Sequence, residues 1–422
     1  MRIFHPLRSA PVALLWGGLS LSALGDQLYA VALTWIAVEV FGSNAGYLSA
    51  LQAFVALLAV LGIGRWSDRW DQYRSMIGAD IVRAGCLLAV VGIWLATGGP
   101  SAPLLVSAIT ALALGQAVFR PSLQLVLPSL VSDTRLLPAA NGLLDATDRS
   151  ARLLGPGLVA LLAAFIPVVH FLTLDAISFL ASAAALLLIG RLRPGMPPIR
   201  RVERQTIWQG FFRGVRAMAT HKLLGYFLAV AAVLNGTWYA VFFLGLPLMI
   251  ERHGLTGSGL SAYGLVLSAY GCGNLAATVC LGGRPLSPRP QFQMCGGNLV
   301  VGAGVVLLGL IDSLPAPWLV PGLAAAAALG AIGGPMQDIP MAVLRQTRLP
   351  PSDTAAAMRA YMAATSAGIL CAMLLAPALI SACGAVPIVI ACGMTYFGIG
   401  ALGLALHSDW LEPEPGISPR TA

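Results

Sequence analysis

Charged residues are scarce in this sequence. Lys, Arg, Asp and Glu together make up 10% of its 422 residues, whereas a soluble protein of this length carries about 25%. Hydrophobic residues make up 58%, and one soluble core cannot bury that much apolar surface. The composition therefore excludes an ordinary soluble protein and predicts an integral membrane protein whose apolar helices face lipid.

Signatures of catalysis and of metal binding are also missing. The sequence has no Walker A motif and no recognisable Ser-His-Asp set, and none of its seven cysteines forms a CxxC pair or lies near a histidine at metal-ligand spacing. The run Gly271-Cys272-Gly273-Asn274 faintly resembles a dinucleotide fingerprint, but it lies in an apolar segment with no preceding strand. We therefore expect a protein that is not an enzyme and that holds no cofactor or metal.

Positive charge exceeds negative charge, with a formal net charge of +8. The basic residues lie between hydrophobic stretches and not on one soluble face, so we do not expect nucleic acid as a partner. With the amino terminus inside, nineteen of the 25 basic residues fall in cytoplasmic segments, five lie within spans and Arg252 lies in an outward loop. This asymmetry follows the positive-inside rule. It predicts a multi-pass membrane protein with both termini in the cytoplasm.

Apolar segments of about 20 residues, the length that crosses a bilayer, recur along the whole chain. We predict twelve transmembrane helices, near residues 11–39, 46–64, 76–97, 103–127, 139–165, 168–190, 223–250, 260–282, 292–312, 317–340, 354–380 and 385–407.

A basic, proline-rich stretch follows the sixth span, and the segment IWQGFFRGVRAMATHK after it has the spacing of an amphipathic helix on the inner membrane surface. Similar short segments occur on both sides of this stretch. LGQAVFRPSLQ in span four resembles LGAIGGPMQD in span ten, and GRWSDR after span two resembles GGRPLS after span eight. Two such similarities at nearly equal spacing indicate an internal duplication. The predicted fold is all-α, with pseudo-symmetric six-helix bundles at 1–190 and 223–422 and a cytoplasmic linker at 191–222.

The loop after span two reads GRWSDRWDQYR from Gly64 to Arg74. A glycine shortly before an Asp-Arg pair, with a further arginine downstream, resembles the signature loop of the major facilitator superfamily. In that family the loop latches the two halves in one state of the transport cycle. The resemblance implies a conformational latch of Gly64, Asp68, Arg69 and Arg74, in which Asp68 meets the start of span eleven near 352–353.

The resemblance extends along most of the chain. Five further segments look like parts of the third drug/proton-antiporter family, which includes the enterobactin exporter and macrolide efflux proteins: GDQLYAVAL, ADIVRAG, FRPSLQLVLPSLV, AANGL and LDAISFL. Gly155-Pro156 in span five resembles part of the exchanger motif of this superfamily. The resemblance implies a monomer of the bacterial inner membrane that exports a drug or siderophore-like molecule through alternating access and proton antiport. Protons and membrane lipids are its other implied partners.

A charged side chain within a span costs at least about 2.5 kcal/mol on insertion scales, so each one is a candidate functional residue. Asp26 lies in the middle of span one, which lines the central cavity in this fold. A carboxylate in a partly dry cavity can exchange a proton near neutral pH. We expect Asp26 to couple transport to protons and to face the substrate. A cap at a helix break at Gly25, or a structural pair with an arginine, stays open as an alternative.

Spans four and five carry further candidates. Asp145 with Arg149, and Asp148 with Arg152, are i,i+4 pairs in span five. These pairs either neutralise one another or leave Arg149 or Arg152 to face an anionic group in the cavity. Related antiporters have an arginine in span four that is linked to proton coupling, and the resemblance assigns that role to Arg120.

Three more charges have different expected surroundings. Asp80 and Arg83 in span three are expected to pair with the loop or with the charges of span five. Arg359 in span eleven has no acidic neighbour in the sequence, which favours a place in the cavity.

Span seven contains the polar and aromatic run Asn235-Gly236-Thr237-Trp238-Tyr239. A glycine between polar and aromatic residues suits an unwound or bent helix at a gate. Asn235, Trp238 and Tyr239, together with Tyr29 of span one, are therefore expected to line an amphiphilic cavity. Ordinary packing of aromatic residues is the alternative.

The substrate stays open at this point. Five intramembrane arginines favour an anion, whereas six intramembrane aspartates favour a cation or a proton. An importer or uniporter of a nutrient or metal on the same fold is the first alternative to an exporter. A membrane enzyme or a non-transporting scaffold is the second.

Overall fold

The structure is a computed structural model that describes residues 2–58, 71–131, 136–192, 207–254, 258–282 and 286–408. These residues are almost entirely helical, with fifteen α-helices and no strand in the described ranges. In chain order the helices are α1 Ala10–Phe41, α2 Ala45–Leu58, α3 Gln72–Thr97, α4 Ala102–Leu130, α5 Leu137–Leu162, α6 Val169–Leu192, α7 Ile207–Ala219, α8 Lys222–Ala240, α9 Leu246–Arg252, α10 Gly259–Gly282, α11 Pro290–Ile311, α12 Ala316–Ala331, α13 Gly333–Arg348, α14 Pro351–Cys383 and α15 Ala385–His407.

Ten stretches of the described chain are long and apolar enough to cross a membrane. The first, Ala10–Leu58, contains both α1 and α2. Helix α5 is not among the ten because four charged residues lie within it, but its 26 residues extend for about 39 Å at 1.5 Å per residue. With α2 counted separately and α5 included, the described helices make twelve crossings. The crossings α8–α9 and α12–α13 each consist of two helices in series.

Helix ends follow local capping rules. The carboxylate of Asp71 accepts a hydrogen bond from the backbone N–H of Tyr73 at 3.1 Å, which caps the start of α3. Gly98 and Gly384 follow α3 and α14 with φ of 81° and 87°, a region that glycine adopts without strain. These signals set the ends of the long helices close to the predicted positions.

The same helix pairings occur in both halves of the chain. In the first half α1 packs on α5 and α6, and α3 packs on α4 and α6. In the second half α8 packs on α14 and α15, and α11 packs on α12 and α15. Each helix pair of the first half corresponds to a pair six crossings later in the second half, as expected after a duplication. The predicted fold of two six-helix bundles is thereby confirmed, while the boundaries at residues 190 and 222 stay a prediction.

The two ends of the bundle differ in charge. We call the end at which α1 and α14 begin the basic face, and the end at which they finish the opposite face. The basic face carries most of the arginines at the helix ends, among them Arg8, Arg74, Arg191, Arg213, Arg216, Arg345 and Arg348.

The halves meet mainly toward the opposite face, through α5 with α10 and α2 with α14. A methyl group on Gly264 would lie 2.6 Å from the carbonyl oxygen of Pro156, and one on Gly46 would lie 2.7 Å from Pro377. Small residues therefore let these helices approach closely. A core cluster spans both halves, whereas the basic-face end of the first half has a separate cluster. The space between the halves consequently opens toward the basic face.

Helix α7 lies on the basic face and packs against the start of α14. A methyl group on Gly214 would meet the carbonyl oxygen of Ala356 at 2.1 Å, so only glycine allows this contact. The Nε of Arg213 donates a hydrogen bond to Asp353 Oδ1 at 2.5 Å. On the other side of α7, Phe212 is 62% exposed, as expected for an amphipathic helix at a membrane surface.

Candidate functional site

A central cavity of about 420 Å³ lies between the two halves. The first half contributes a polar wall from α1, α2, α4 and α5, whose lining side chains include Asp26, Gln27, Gln52, Gln116, Arg120, Asp148 and Arg152. The second half contributes Trp238, Tyr239 and Phe243 of α8 and its continuation. A volume of this size suits a small organic molecule.

A single stripe of α1 faces this cavity. The residues at positions 23, 26, 27, 29, 30, 33, 34 and 37 line it, and this spacing corresponds to one face of an α-helix. The alanines of the stripe leave room, whereas Asp26, Gln27 and Thr34 supply polar groups. The stripe includes Asp26 and Tyr29.

Helix α1 runs without interruption from Ala10 to Phe41, so Gly25 does not mark a helix break. Instead, Gly25 permits close contact with α6: a methyl group there would lie 2.4 Å from Ser178 Oγ and 2.6 Å from Asp175 Oδ1. Among the described residues, none forms a hydrogen bond or an ion pair with the Asp26 carboxylate. Neither structural alternative for Asp26, a cap at Gly25 or a pair with an arginine, is found.

Arg83 of α3 contributes to the cavity wall as one partner of a buried ion pair. Arg83 and Asp80 bond to each other within α3 and are only 3% and 0% exposed. The Arg83 guanidinium also lies 4.1 Å from the ring centre of Phe179 and 5.0 Å from that of Phe119, close enough for cation–π attraction. The prediction that these charges pair with the loop or with span five is corrected: the i,i+3 spacing within α3 brings them together.

The charges of α5 also pair differently from the prediction. Asp148 Oδ2 accepts a hydrogen bond from Arg120 Nη1 at 2.8 Å, which joins α4 to α5 across the cavity. The expected i,i+4 pair of Asp148 with Arg152 is not formed, because the carboxylate turns toward Arg120. Arg152 lines the cavity and has no hydrogen-bond or ion-pair partner among the described residues. The side chain of Asp145 lies outside the described residues.

The second half lines the cavity with a connected set of aromatic side chains. Trp238 Nε1 donates a hydrogen bond to the Tyr270 hydroxyl at 3.0 Å, and Tyr239 stacks on Phe243 with ring centres 4.3 Å apart. We call Trp238, Tyr239, Phe243 and Tyr270 the aromatic wall.

The expected irregularity of span seven occurs, but further along the chain. Helix α8 is regular through Asn235 and Gly236, and a π-helix at Val241–Gly245 follows the aromatic residues. Gly236 instead allows close packing, since a methyl group there would lie 2.6 Å from the carbonyl oxygen of Gly368 in α14. Short π-helical segments are frequent at functional sites.

Three expected cavity residues lie apart from the lining. Arg359 faces α7, where its Nη2 lies 3.4 Å from a methyl position on Gly210. Asn235 donates a hydrogen bond to the carbonyl oxygen of Ala231 in its own helix at 2.9 Å. Arg149 acts electrostatically on Asp338 of α13. Arg359 and Asn235 thus have contacts outside the central cavity, which corrects the expectation for these two residues. Arg149 is exposed and acts on a residue of the other half, so its place in the cavity stays a prediction.

The latch residues Gly64, Asp68 and Arg69 lie outside the described residues. Arg74 lies at the start of α3, where its Nε is 3.6 Å from Asp71 Oδ2. The start of α14, the predicted partner of the latch, is bonded through Asp353 to Arg213 of α7.

The cavity also contains polar and aromatic residues that the sequence analysis did not single out. Gln27, Gln52, Gln116 and Phe243 line it, and Tyr270 accepts a hydrogen bond from the lining residue Trp238. A glutamine within an apolar span is itself a signal, and Gln116 lies one helical turn before Arg120. Within the part of the chain that the structure describes, no group of three or more His, Cys, Asp or Glu side chains is arranged to hold a metal ion.

Comparison with known protein families shows which family this chain belongs to. The model of the Major Facilitator Superfamily matches residues 15–373 of the chain. The chain belongs to the Major Facilitator Superfamily. It is accordingly a multi-pass membrane transporter and not an enzyme, and a small molecule is its substrate. A search of curated protein sequences found no match.

Solved structures agree with this fold. The chain is similar to a POT family transporter in complex with a thioalcohol-conjugated peptide, with 14% identity, a TM-score of 0.67 and coverage of 93% of this chain and 96% of that one. A bacterial homologue of the iron transporter ferroportin in an inward-facing state gives 14% identity and a TM-score of 0.65, covering 93% and 98%. The peptide transporter POT in complex with sulfate gives 12% identity and a TM-score of 0.69, covering 94% of each chain. At these identities the likeness concerns the fold alone.

Proposed function

We propose that this major facilitator exports a small organic molecule in exchange for protons, with Asp26 as the proton-coupling residue. The observation that carries the proposal is the position of Asp26: its carboxylate lines the central cavity and has no hydrogen-bond or ion-pair partner among the described residues. A charge at this depth is costly. A cavity carboxylate without a structural partner is available to bind a proton or a substrate group in turn.

The orientation of the chain supports loading from the cytoplasm. The basic face carries most of the arginines at the helix ends, and the positive-inside rule assigns such a face to the cytoplasm. Both termini then lie in the cytoplasm of a bacterial cell, and the chain acts as a monomer in the inner membrane. The cavity opens toward this face, so the described conformation is one that takes up substrate from inside.

Electrostatics links Asp26 to its surroundings. The guanidinium groups of Arg83 and Arg120 act on the Asp26 carboxylate, and so do the carboxylates of Asp80, Asp148 and Asp175. Arg83 is held by Asp80, and Arg120 is held by Asp148 across the cavity. We propose that protonation of Asp26 changes the balance of charge in the cavity and that the Arg120–Asp148 bond responds to it, which gives Arg120 a part in coupling.

The change of access would follow the rocking of one six-helix bundle against the other. Contacts of α5 with α10 and of α2 with α14 toward the opposite face would open, and the basic face would close. The predicted latch of Gly64, Asp68, Arg69 and Arg74 would hold the closed basic face. The linker at 191–222, including α7, joins the bundles at 1–190 and 223–422.

Proton movement in sealed proteoliposomes tests the proposal. The vesicles contain a pH-sensitive dye and receive, in separate experiments, ethidium as a cation, a catecholate siderophore as an anion and L-tryptophan as a zwitterion. We expect at least one of them to elicit a proton flux that Asp26→Asn abolishes and that Glu39→Gln, a carboxylate change at the exposed end of α1, leaves intact.

Two results would favour the alternatives on the same fold. Substrate movement without any proton flux would indicate a uniporter. Proton flux in the same direction as the substrate would indicate a proton-coupled importer.

A further inference from the structure

The ionisable groups in the wall of the central cavity cancel in pairs, with two exceptions. Five charged side chains line it: Asp26, Arg83, Arg120, Asp148 and Arg152. Arg83 is paired with Asp80, and Arg120 is paired with Asp148. Asp26 and Arg152 have no hydrogen-bond or ion-pair partner among the residues that the structure describes. The cavity therefore presents one available carboxylate and one available guanidinium.

These two groups lie at similar depth in the membrane. Gly155 of α5 packs directly on Gln27 of α1, where a methyl group would lie 2.4 Å from Gln27 Cβ. Both helices run from the basic face toward the opposite face. Asp26 is one residue below this contact and Arg152 is three residues below it, which separates their Cα atoms by about 3 Å in depth at 1.5 Å per residue. One small molecule can therefore reach both groups.

The two charges are not bonded to each other, so each retains its attraction for a ligand. A guanidinium forms bidentate hydrogen bonds with a carboxylate or another planar anion. A carboxylate accepts hydrogen bonds from an ammonium group. Glutamines at positions 27, 52 and 116 line the same polar wall and provide neutral donors and acceptors.

The cavity wall that the second half contributes selects for a flat apolar group. Trp238, Tyr239 and Phe243 line it, and Tyr239 is stacked on Phe243 with ring centres 4.3 Å apart. Aromatic rings bind other rings in offset or edge-to-face contacts. The polar and the aromatic wall belong to different halves of the protein, so a ligand that contacts both walls bridges the two bundles.

We infer that the transported molecule is a zwitterion with an aromatic or other flat apolar group, whose cationic group binds Asp26 and whose anionic group binds Arg152. This inference rests on the proposed function of the cavity as the transport site. It adds the substrate class and the role of Arg152. It also gives a physical basis for exchange, because a proton on Asp26 removes the partner of the cationic group and thereby releases the substrate.

The test compares molecules that share a skeleton and differ only in charge. Equilibrium dialysis of the purified full-length protein measures the binding of L-tryptophan, tryptamine and indole-3-propionate at mildly alkaline pH. L-Phenylalanine and L-tyrosine, each with its matching amine and acid, form two further sets. We expect the zwitterion of at least one set to bind about 10-fold or more tighter than either singly charged analogue, since hydrogen bonds to charged groups contribute at this level.

Variants then assign each charge to its residue. Arg152→Gln is expected to weaken zwitterion binding about 10- to 100-fold and to leave the amine analogue unchanged. Asp26→Asn is expected to weaken zwitterion binding by a similar factor and not to weaken binding of the acid analogue. Glu39→Gln and Arg216→Gln, which change exposed charges outside the cavity, should match the wild type. Similar thermal unfolding curves would show that all four variants are folded.

The inference is overturned if no zwitterion binds the wild type. It is also overturned if an amine or acid analogue binds as tightly as its zwitterion, or if Arg152→Gln weakens all three members of a set equally. Failure of the proposed proton exchange is distinguishable from these results. Suppose that binding selects the zwitterion in a way that depends on Arg152, but that transport by Asp26→Asn has the same pH dependence as the wild type. The inferred substrate class then holds, and proton exchange at Asp26 is rejected.

Discussion

Arg120 of α4 and Asp148 of α5 form a hydrogen-bonded ion pair of 2.8 Å across the cavity. The bond determines which of two arginines is available to a substrate, because Asp148 is also an i,i+4 neighbour of Arg152. While Arg120 holds Asp148, the guanidinium of Arg152 has no hydrogen-bond or ion-pair partner among the described residues.

The first prediction concerns this competition. Arg120→Gln releases Asp148, which is then expected to pair with Arg152 and to lower substrate affinity about 10-fold. The double variant Arg120→Gln with Asp148→Asn removes the competitor and is expected to recover most of that loss. Binding of the best ligand from the charge-matched sets measures both. Equal affinity of the single and the double variant would contradict the competition.

A second prediction concerns the buried pair of Asp80 and Arg83. Removing one partner leaves an uncompensated buried charge, which costs about 3–5 kcal/mol. Arg83→Met is therefore expected to lower the midpoint of thermal unfolding in detergent markedly, and Asp80→Asn in the same chain should restore part of the loss. If Arg83→Met unfolds at the wild-type temperature, the pair does not contribute to stability in this way.

A third prediction compares two glycines of α1. A methyl group at Gly25 would lie 2.4 Å from Ser178 Oγ, whereas one at Gly17 would have no neighbour within 4 Å. Gly25→Ala is expected to destabilise the protein by about 1–3 kcal/mol through overpacking. Gly17→Ala should be neutral or stabilising by up to about 1 kcal/mol. Thermal unfolding of the two variants checks this, and an equal effect would argue against the close contact of α1 with α6.

A fourth prediction concerns access to the cavity. Gln124 of α4 is exposed and lies beside Arg120 toward the basic face, whereas Ser101 is exposed at the opposite face. In a chain whose native cysteines are replaced, Gln124→Cys should react with a membrane-impermeant maleimide in inside-out vesicles, and Ser101→Cys should react in intact spheroplasts. The reverse pattern would invert the proposed orientation.

The sequence was sufficient for the architecture. Helix length, hydropathy and the distribution of arginines predict twelve crossings in two bundles, because a bilayer admits few other arrangements for such a chain. Asp26 could be placed in the cavity for a related reason: a lone carboxylate in an apolar helix needs a polar environment.

The pairing of the charges was harder to predict. Asp148 has Arg152 on its own helix and Arg120 on another, and local spacing favours the first, whereas the arrangement of the helices around the cavity brings Arg120 to Asp148. For Asp80 and Arg83 the error is the reverse. We expected partners in the loop or in span five, whereas the two residues pair with each other at i,i+3 spacing. Arg359 lacks an acidic neighbour in the sequence, and its contact with α7 depends on how the linker folds back on α14.

Proton flux in proteoliposomes that carry Asp26→Asn tests the central claim most directly. Vesicles with an interior pH dye receive ethidium, a catecholate siderophore or L-tryptophan, with the wild type and Glu39→Gln measured in parallel. We predict a proton flux opposite to the substrate in the wild type and in Glu39→Gln, and none in Asp26→Asn. An Asp26→Asn protein that transports with the same proton flux and the same pH dependence as the wild type would contradict it.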